Sequence, residues 1–197
     1  MKKLLLLLAL GVCFTSFTYQ QNKVLFIGDS LTCYAGGWQD QVAKDLGYKY
    51  TNISKGGKRT SWMLATLIMH FGTKRDYKKV FIYGGCNDAF SHVSLEGAVT
   101  NIQNMVDLCI ENKMEPIVIL GYDPYKVMVN TPYKKDVAEF HKARYVKLQN
   151  LMKQHLVNCK IIEVCPTVTN ANAHDDIHLG ASGHKLFADW VLQELKK

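Results

Sequence analysis

Val24-Leu25-Phe26-Ile27-Gly28-Asp29-Ser30-Leu31 is the stretch that decides the fold. Four apolar residues, mostly β-branched or aromatic, run straight into a glycine, the pattern of a strand buried on both faces that ends in a tight turn. The turn presents Asp29 and Ser30. A serine at the carboxyl end of the first strand of an α/β sheet stands where such folds place ligands, and a following helix is expected to aim its N-terminal N–H groups there. On these residues alone, an ordinary turn in which Ser30 caps a helix remains open.

The same strand-then-turn pattern recurs along the chain. Trp38–Leu46 reads as a helix closed by Gly47, with Trp38, Val42 and Leu46 on one face. Tyr48–Ile53 reads as a second strand, followed by Ser54-Lys55-Gly56-Gly57-Lys58-Arg59-Thr60. That run lacks the spacing of a phosphate-binding loop, which would need glycine at Asn52 and Ser or Thr at Arg59. It reads instead as a glycine turn before an apolar helix, Ser61–Phe71. Val80–Tyr83 is a third strand, ending in Gly84-Gly85-Cys86-Asn87-Asp88, so Asn87 is expected at the same sheet edge as Ser30. Ser94 caps a helix carrying Leu95, Ala98, Val99, Ile102, Met105, Val106 and Cys109 at helical spacing. Pro116 is expected to precede a fourth strand, Ile117–Leu120. Thr131-Pro132 marks the start of a helix to about His155. Lys160–Val164 is a fifth strand, and a final helix with Leu186, Phe187 and Trp190 opens near Ser182 or Gly183. Strands alternating with helices imply one parallel sheet covered on both faces.

The N-terminus carries a different signal. Lys2 and Lys3 followed by the apolar run Leu4–Phe14 read as an export signal over residues 1–20, leaving 21–197 as one domain. The expected location is periplasmic or extracellular. Cys13 would serve a lipoprotein anchor, but Val12 precedes it where a small residue is usual. Hydrophobic content of 48% and charged content of 21% are ordinary globular values. Of the formal charge of +7, two units are Lys2 and Lys3. The basic run from Lys126 to Lys153 is interrupted by Asp136 and Glu139 and reads as a solvated helix face, not a nucleic-acid surface. The remaining cysteines, Cys33, Cys86, Cys109, Cys159 and Cys165, are odd in number, and no C-x-x-C pair suggests zinc. Cys33 and Cys86 both follow strand ends, which leaves their pairing open.

The last loop, His174-Asp175-Asp176-Ile177-His178-Leu179, carries the chemistry. A serine hydroxyl becomes a good nucleophile when a base takes its proton and a carboxylate fixes the tautomer of that base. Asp175 and His178, three apart, can supply both. The backbone N–H groups of Ser30 and Gly57 and the side-chain amide of Asn87 can supply the oxyanion donors. A metal site on His174 and His178 lacks a helix to align the imidazoles and a third ligand, so no metal or other cofactor is expected.

These four stretches resemble the sequence blocks of the SGNH hydrolases, the GDSL esterase/lipase superfamily. Gly28-Asp29-Ser30-Leu31 matches the first block, Gly57 within Asn52–Gly57 the second, Gly85-Cys86-Asn87-Asp88 the G-x-N-D block, and Asp175-Asp176-Ile177-His178 the D-x-x-H block. The resemblance implies an α/β fold, a flavodoxin-like three-layer α/β/α sandwich with a five-stranded parallel sheet of order 2-1-3-4-5. It further implies a metal-independent serine esterase with Ser30 as nucleophile, His178 as base and Asp175 as its partner. Ser30, Gly57 and Asn87 would form the oxyanion hole, with Gly56 the alternative to Gly57.

The expected activity is hydrolysis of a small acyl ester, acetyl on a carbohydrate, because no cap domain is present to enclose a long chain. Trp62, Tyr122, Tyr125 and Met128 could instead line an apolar groove, which would suit a lysophospholipase-like or thioesterase activity. A non-catalytic glycan-binding protein on the same fold is the remaining alternative. The expected partner is a small-molecule or glycan ester, with no nucleic acid and no membrane-spanning segment after signal removal.

Overall fold

The computed structural model describes residues 22–74, 76–129 and 134–197. The N-terminal apolar run and the Thr131-Pro132 helix start lie outside them. Five strands, β1 (Lys23–Gly28), β2 (Lys49–Asn52), β3 (Lys79–Tyr83), β4 (Glu115–Ile119) and β5 (Lys160–Ile162), form one parallel sheet in the order β2-β1-β3-β4-β5. The helices are α1 (Trp38–Asp45), α2 (Thr60–Phe71), α3 (Cys86–Ala89), α4 (Leu95–Glu111), α5 (Pro124–Val127), α6 (Lys135–His155) and α7 (Ala181–Leu195). The fold expected from the sequence is the fold observed.

The connectivity explains the layers. The first crossover runs from β1 outward to β2, and the next returns past β1 to β3. Right-handed crossovers in opposite directions place their helices on opposite faces. Accordingly α1 packs with α7, while α2, α4 and α6 pack in a row. The reversal falls between β1 and β3, the switch point outside which α/β sheets bind ligands. Val24–Ile27 are fully buried, and Phe26 stacks on Phe81 across the ladder at 4.8 Å. Trp38 wedges edge-on between Phe26 and Phe187, at 5.5 Å from each, joining α1 to both sheet and α7.

Three local expectations are corrected. Pro116 lies inside β4, opposite Val80, and not before it. The Glu115 N–H points to Lys78 on the β3 side, so Pro116 faces the other side, where pairing with β5 starts only at Ile117; its missing N–H forfeits no ladder bond. The fifth strand ends at Ile162, because after Leu120 donates to Ile162 the left-handed Gly121 shifts the pairing to Cys165. The basic face of α6 is only partly solvated. Arg144 donates through Nε to the Ala89 carbonyl (2.8 Å) and through Nη2 to that of Val93 (2.6 Å), pinning the segment after Asn87.

Candidate active site

Ser30 sits in a turn, Asp29–Thr32, closed by the Thr32 N–H donating to the Asp29 carbonyl at 3.2 Å. No helix begins there: α1 starts at Trp38, so neither a helix N-terminus at Ser30 nor a serine cap is present. The turn is held from three sides. Asp29 Oδ1 accepts from the Leu31 N–H (3.0 Å), the Trp38 indole donates to the Leu31 carbonyl (2.9 Å), and Asn52 Nδ2 donates to that of Thr32 (2.7 Å). The Asp29 side chain is wholly buried, and burial pushes its carboxyl up to about 6, against the opposing pull of the Leu31 N–H. Gly28 must be glycine, because a Cβ there would lie 2.1 Å from the Tyr83 carbonyl oxygen.

The glycine turn comes alongside because β2 pairing continues past its end, with Ile53 donating to Phe26 and Lys55 to Gly28. A Cβ on Gly56 would stand 3.7 Å from Ser30 Cβ and 3.9 Å from Cys33 Sγ, so Gly56 presents bare backbone to the serine. Gly57 follows at φ +72, a left-handed conformation that favours glycine. Asn87, in the short helix α3 entered through Gly85 at φ +103, donates Nδ2 to the Lys58 carbonyl at 3.1 Å. Its neighbour Asp88 accepts from Thr60 twice, from N (2.9 Å) and Oγ1 (2.8 Å), and so locks the Asn87 segment to the start of α2. Burial raises the Asp88 carboxyl despite these two donors.

The last loop folds on itself. Ala173 and Leu179 form an antiparallel bridge, and the His174 N–H donates to the His178 carbonyl at 2.7 Å. Asp175 Oδ1 accepts from the N–H groups of Ile177 (2.8 Å) and His178 (2.7 Å), while Oδ2 meets His178 Nδ1 at 2.7 Å. Burial raises the Asp175 carboxyl, but the His178 backbone N–H and ring and the Ile177 N–H outweigh it and hold it below the usual carboxylate range. With Nδ1 bound, His178 Nε2 is left buried and without a hydrogen-bond partner. Across from it stands Tyr34, four residues after Ser30, its ring edge-on to the imidazole at 5.7 Å and its side chain half exposed.

Thus Gly56 lies against Ser30, Asn87 reaches the carbonyl next to Gly57, and Asp175 holds His178. The four apolar-groove residues do not assemble. Tyr122 and Met128 are buried, so neither lines an open groove. Tyr125 is exposed, lining a cavity of about 430 Å³ with Leu120, Val146 and Asn150 on the α6 side. Trp62 is partly buried in the first turn of α2, with Lys58 Nζ 5.9 Å from its ring. The five cysteines among the described residues are free thiols, and no cluster of three or more His, Cys, Asp or Glu there could hold a metal ion. Among the described residues no helix is long and apolar enough to cross a membrane.

A family model described as the GDSL-like Lipase/Acylhydrolase family matches residues 26–186. The chain belongs to this family. It is an enzyme, an ester hydrolase of the GDSL serine type. No curated protein sequence matches it significantly. Solved structures do resemble this GDSL hydrolase in fold. TesA is 18% identical with a TM-score of 0.63, the match covering 88% of this chain and 98% of that one. A catalytic mutant of Axe2, an acetylxylan esterase from Geobacillus stearothermophilus, is 17% identical with a TM-score of 0.69, covering 89% and 94%. A G-D-S-L lipolytic protein from Veillonella parvula is 16% identical with a TM-score of 0.66, covering 89% and 98%. At such identities the likeness is one of fold.

Proposed function

We propose that this GDSL hydrolase removes acetyl groups from carbohydrate through an acyl-enzyme on Ser30. Ser30 Oγ attacks the acetyl carbonyl and its proton passes to His178 Nε2, whose imidazole Asp175 orients through Nδ1. The oxyanion is met by the N–H groups of Ser30 and Gly57 and by the second N–H of Asn87 Nδ2, the first being spent on Lys58. Gly56 lies beside Ser30, and its peptide carries the Gly57 N–H. Collapse of the intermediate breaks the bond to the sugar oxygen, which leaves as a hydroxyl by taking the proton from His178; water, deprotonated by His178, then attacks the acetyl-serine, and Ser30 leaves with that proton as acetate is freed.

The observation that carries the substrate reading is the half-exposed Tyr34 against His178. The leaving alcohol departs beside the base, so an aromatic face there suits the apolar face of a sugar ring. The burial of Tyr122 and Met128 argues in the same direction, because it removes the side chains that would grip a long acyl tail. The fold likeness to an acetylxylan esterase is consistent with it. Residues 1–20 act in this account as the export signal and 21–197 as the hydrolase domain, on the strength of the Lys2-Lys3 and Leu4–Phe14 pattern.

Hydrolysis of p-nitrophenyl esters of rising chain length tests the acyl preference. Activity should peak at acetate and fall by about tenfold or more by hexanoate, as added methylenes overfill the site. Retention well beyond butyrate would overturn the acetyl reading in favour of a lysophospholipase-like or thioesterase activity. Asn87→Ala should lower kcat by roughly 10²- to 10³-fold, about 2.7 to 4 kcal/mol of transition-state stabilisation. Near-normal turnover would reduce Asn87 to a brace for the Lys58 carbonyl.

A further inference from the structure

Tyr122 follows β4 and Gly121, and its backbone is held from both sides. Gln149 of α6 donates Nε2 to the carbonyls of Leu120 (2.7 Å) and Tyr122 (2.9 Å), and the Cys165 N–H donates to that of Gly121 (2.7 Å). The buried ring lies edge-on to Tyr145 at 6.2 Å. From this fixed base the Tyr122 hydroxyl donates to the Ile177 carbonyl, the peptide group joined directly to His178.

Several bonds of the Asp175–His178 loop run within the loop: the Ala173–Leu179 bridge, His174 to the His178 carbonyl, and Ile177 and His178 to Asp175. Such bonds fix the shape of the loop but not its seat over the sheet. Ile177 packs against the core, and apolar contact of that kind is non-directional. The Tyr122 hydroxyl supplies direction, because a hydrogen bond weakens steeply when its angle is lost.

We propose that Tyr122 is a positioning residue, whose hydroxyl sets the seat of the Asp175–His178 unit through the Ile177 carbonyl and so aims His178 Nε2 at Ser30. This rests on Ser30, Asp175 and His178 being the working triad. Tyr122 was expected from the sequence to touch substrate; its place in the fold assigns it to the base instead. A misplacement of reacting groups by 1 Å can cost roughly 10²-fold in rate, so loss of one orienting bond should cost less, about tenfold.

The test compares Tyr122→Phe with Tyr145→Phe and Ser30→Ala in p-nitrophenyl acetate hydrolysis. Tyr145 is a matched control: it is buried in the same cluster, and its hydroxyl lies against Gly121, where a Cβ would come within 2.5 Å of it. Tyr122→Phe should lower kcat by about tenfold with KM within about twofold, while Tyr145→Phe leaves both within about twofold. Equal losses in the two tyrosine variants would make the effect one of packing and overturn the proposal, as would a wild-type kcat or a change confined to KM in Tyr122→Phe. If Ser30→Ala is inactive in the same assay, such a failure falls on Tyr122 alone. If Ser30→Ala stays active, the triad falls and the positioning role with it.

Discussion

Ser30→Ala should lower kcat for p-nitrophenyl acetate by roughly 10⁴- to 10⁶-fold, with the protein still folded. The substitution removes one oxygen from Ser30, the one partly exposed residue of a turn whose shape is set by other groups. Asp29 Oδ1, the Trp38 indole and Asn52 Nδ2 hold the backbone, and none of them bonds to the serine hydroxyl. Melting temperature should therefore change little while turnover collapses. EDTA should leave wild-type activity untouched. Activity that survives in Ser30→Ala would move the nucleophile elsewhere, and activity that EDTA removes would reopen the His174/His178 metal reading.

Asp175→Asn should cost about 10³- to 10⁴-fold in kcat, although it changes hardly any volume. An asparagine Oδ1 can still accept from the N–H groups of Ile177 and His178, so the loop keeps its shape. The amide NH₂ then faces His178 Nδ1 where Oδ2 stood at 2.7 Å. A donor there forces Nδ1 to accept, which puts the ring proton on Nε2 and disables the base. Stability supplies an independent check. The native Asp175 carboxyl lies below its ordinary value of 3.8, so it contributes stability above that value and loses the contribution as pH falls through its folded value. The deficit in melting temperature of Asp175→Asn should thus be present at neutral pH and shrink in strong acid. A variant with normal turnover would show that Asp175 only shapes the loop.

Much of this site is written in local pattern. Strands β1, β2, β3 and β5 each lead into a turn, at Gly28, Ser54, Gly84 and after Ile162, and a parallel sheet gathers such turns at one edge. Such a pattern places Ser30, Gly57, Asn87 and the Asp175–His178 pair at one sheet edge from sequence alone. What stayed hidden depends on partners distant in sequence. Tyr122 looked like a groove residue because an aromatic in a loop gives no sign of whether its ring is buried; the bond to Ile177 spans 55 residues. Arg144 sits at a helical position that suits solvent as well as it suits the Ala89 and Val93 carbonyls. Tyr34 gave a faint signal through its closeness to Ser30, but nothing local points it toward an imidazole 144 residues further on. Proline is disfavoured inside a ladder, which makes Pro116 read as preceding its strand, but the bias yields where the neighbouring strand has not yet begun.

The most direct measurement of the central claim is mass spectrometry of the protein after reaction with diethyl p-nitrophenyl phosphate, which leaves a diethylphosphoryl group on an activated serine. Wild type should carry a single adduct on the peptide containing Gly28-Asp29-Ser30-Leu31, and Ser30→Ala should carry none. An adduct on another peptide, or none on a protein that still hydrolyses p-nitrophenyl acetate, would contradict Ser30 as the nucleophile.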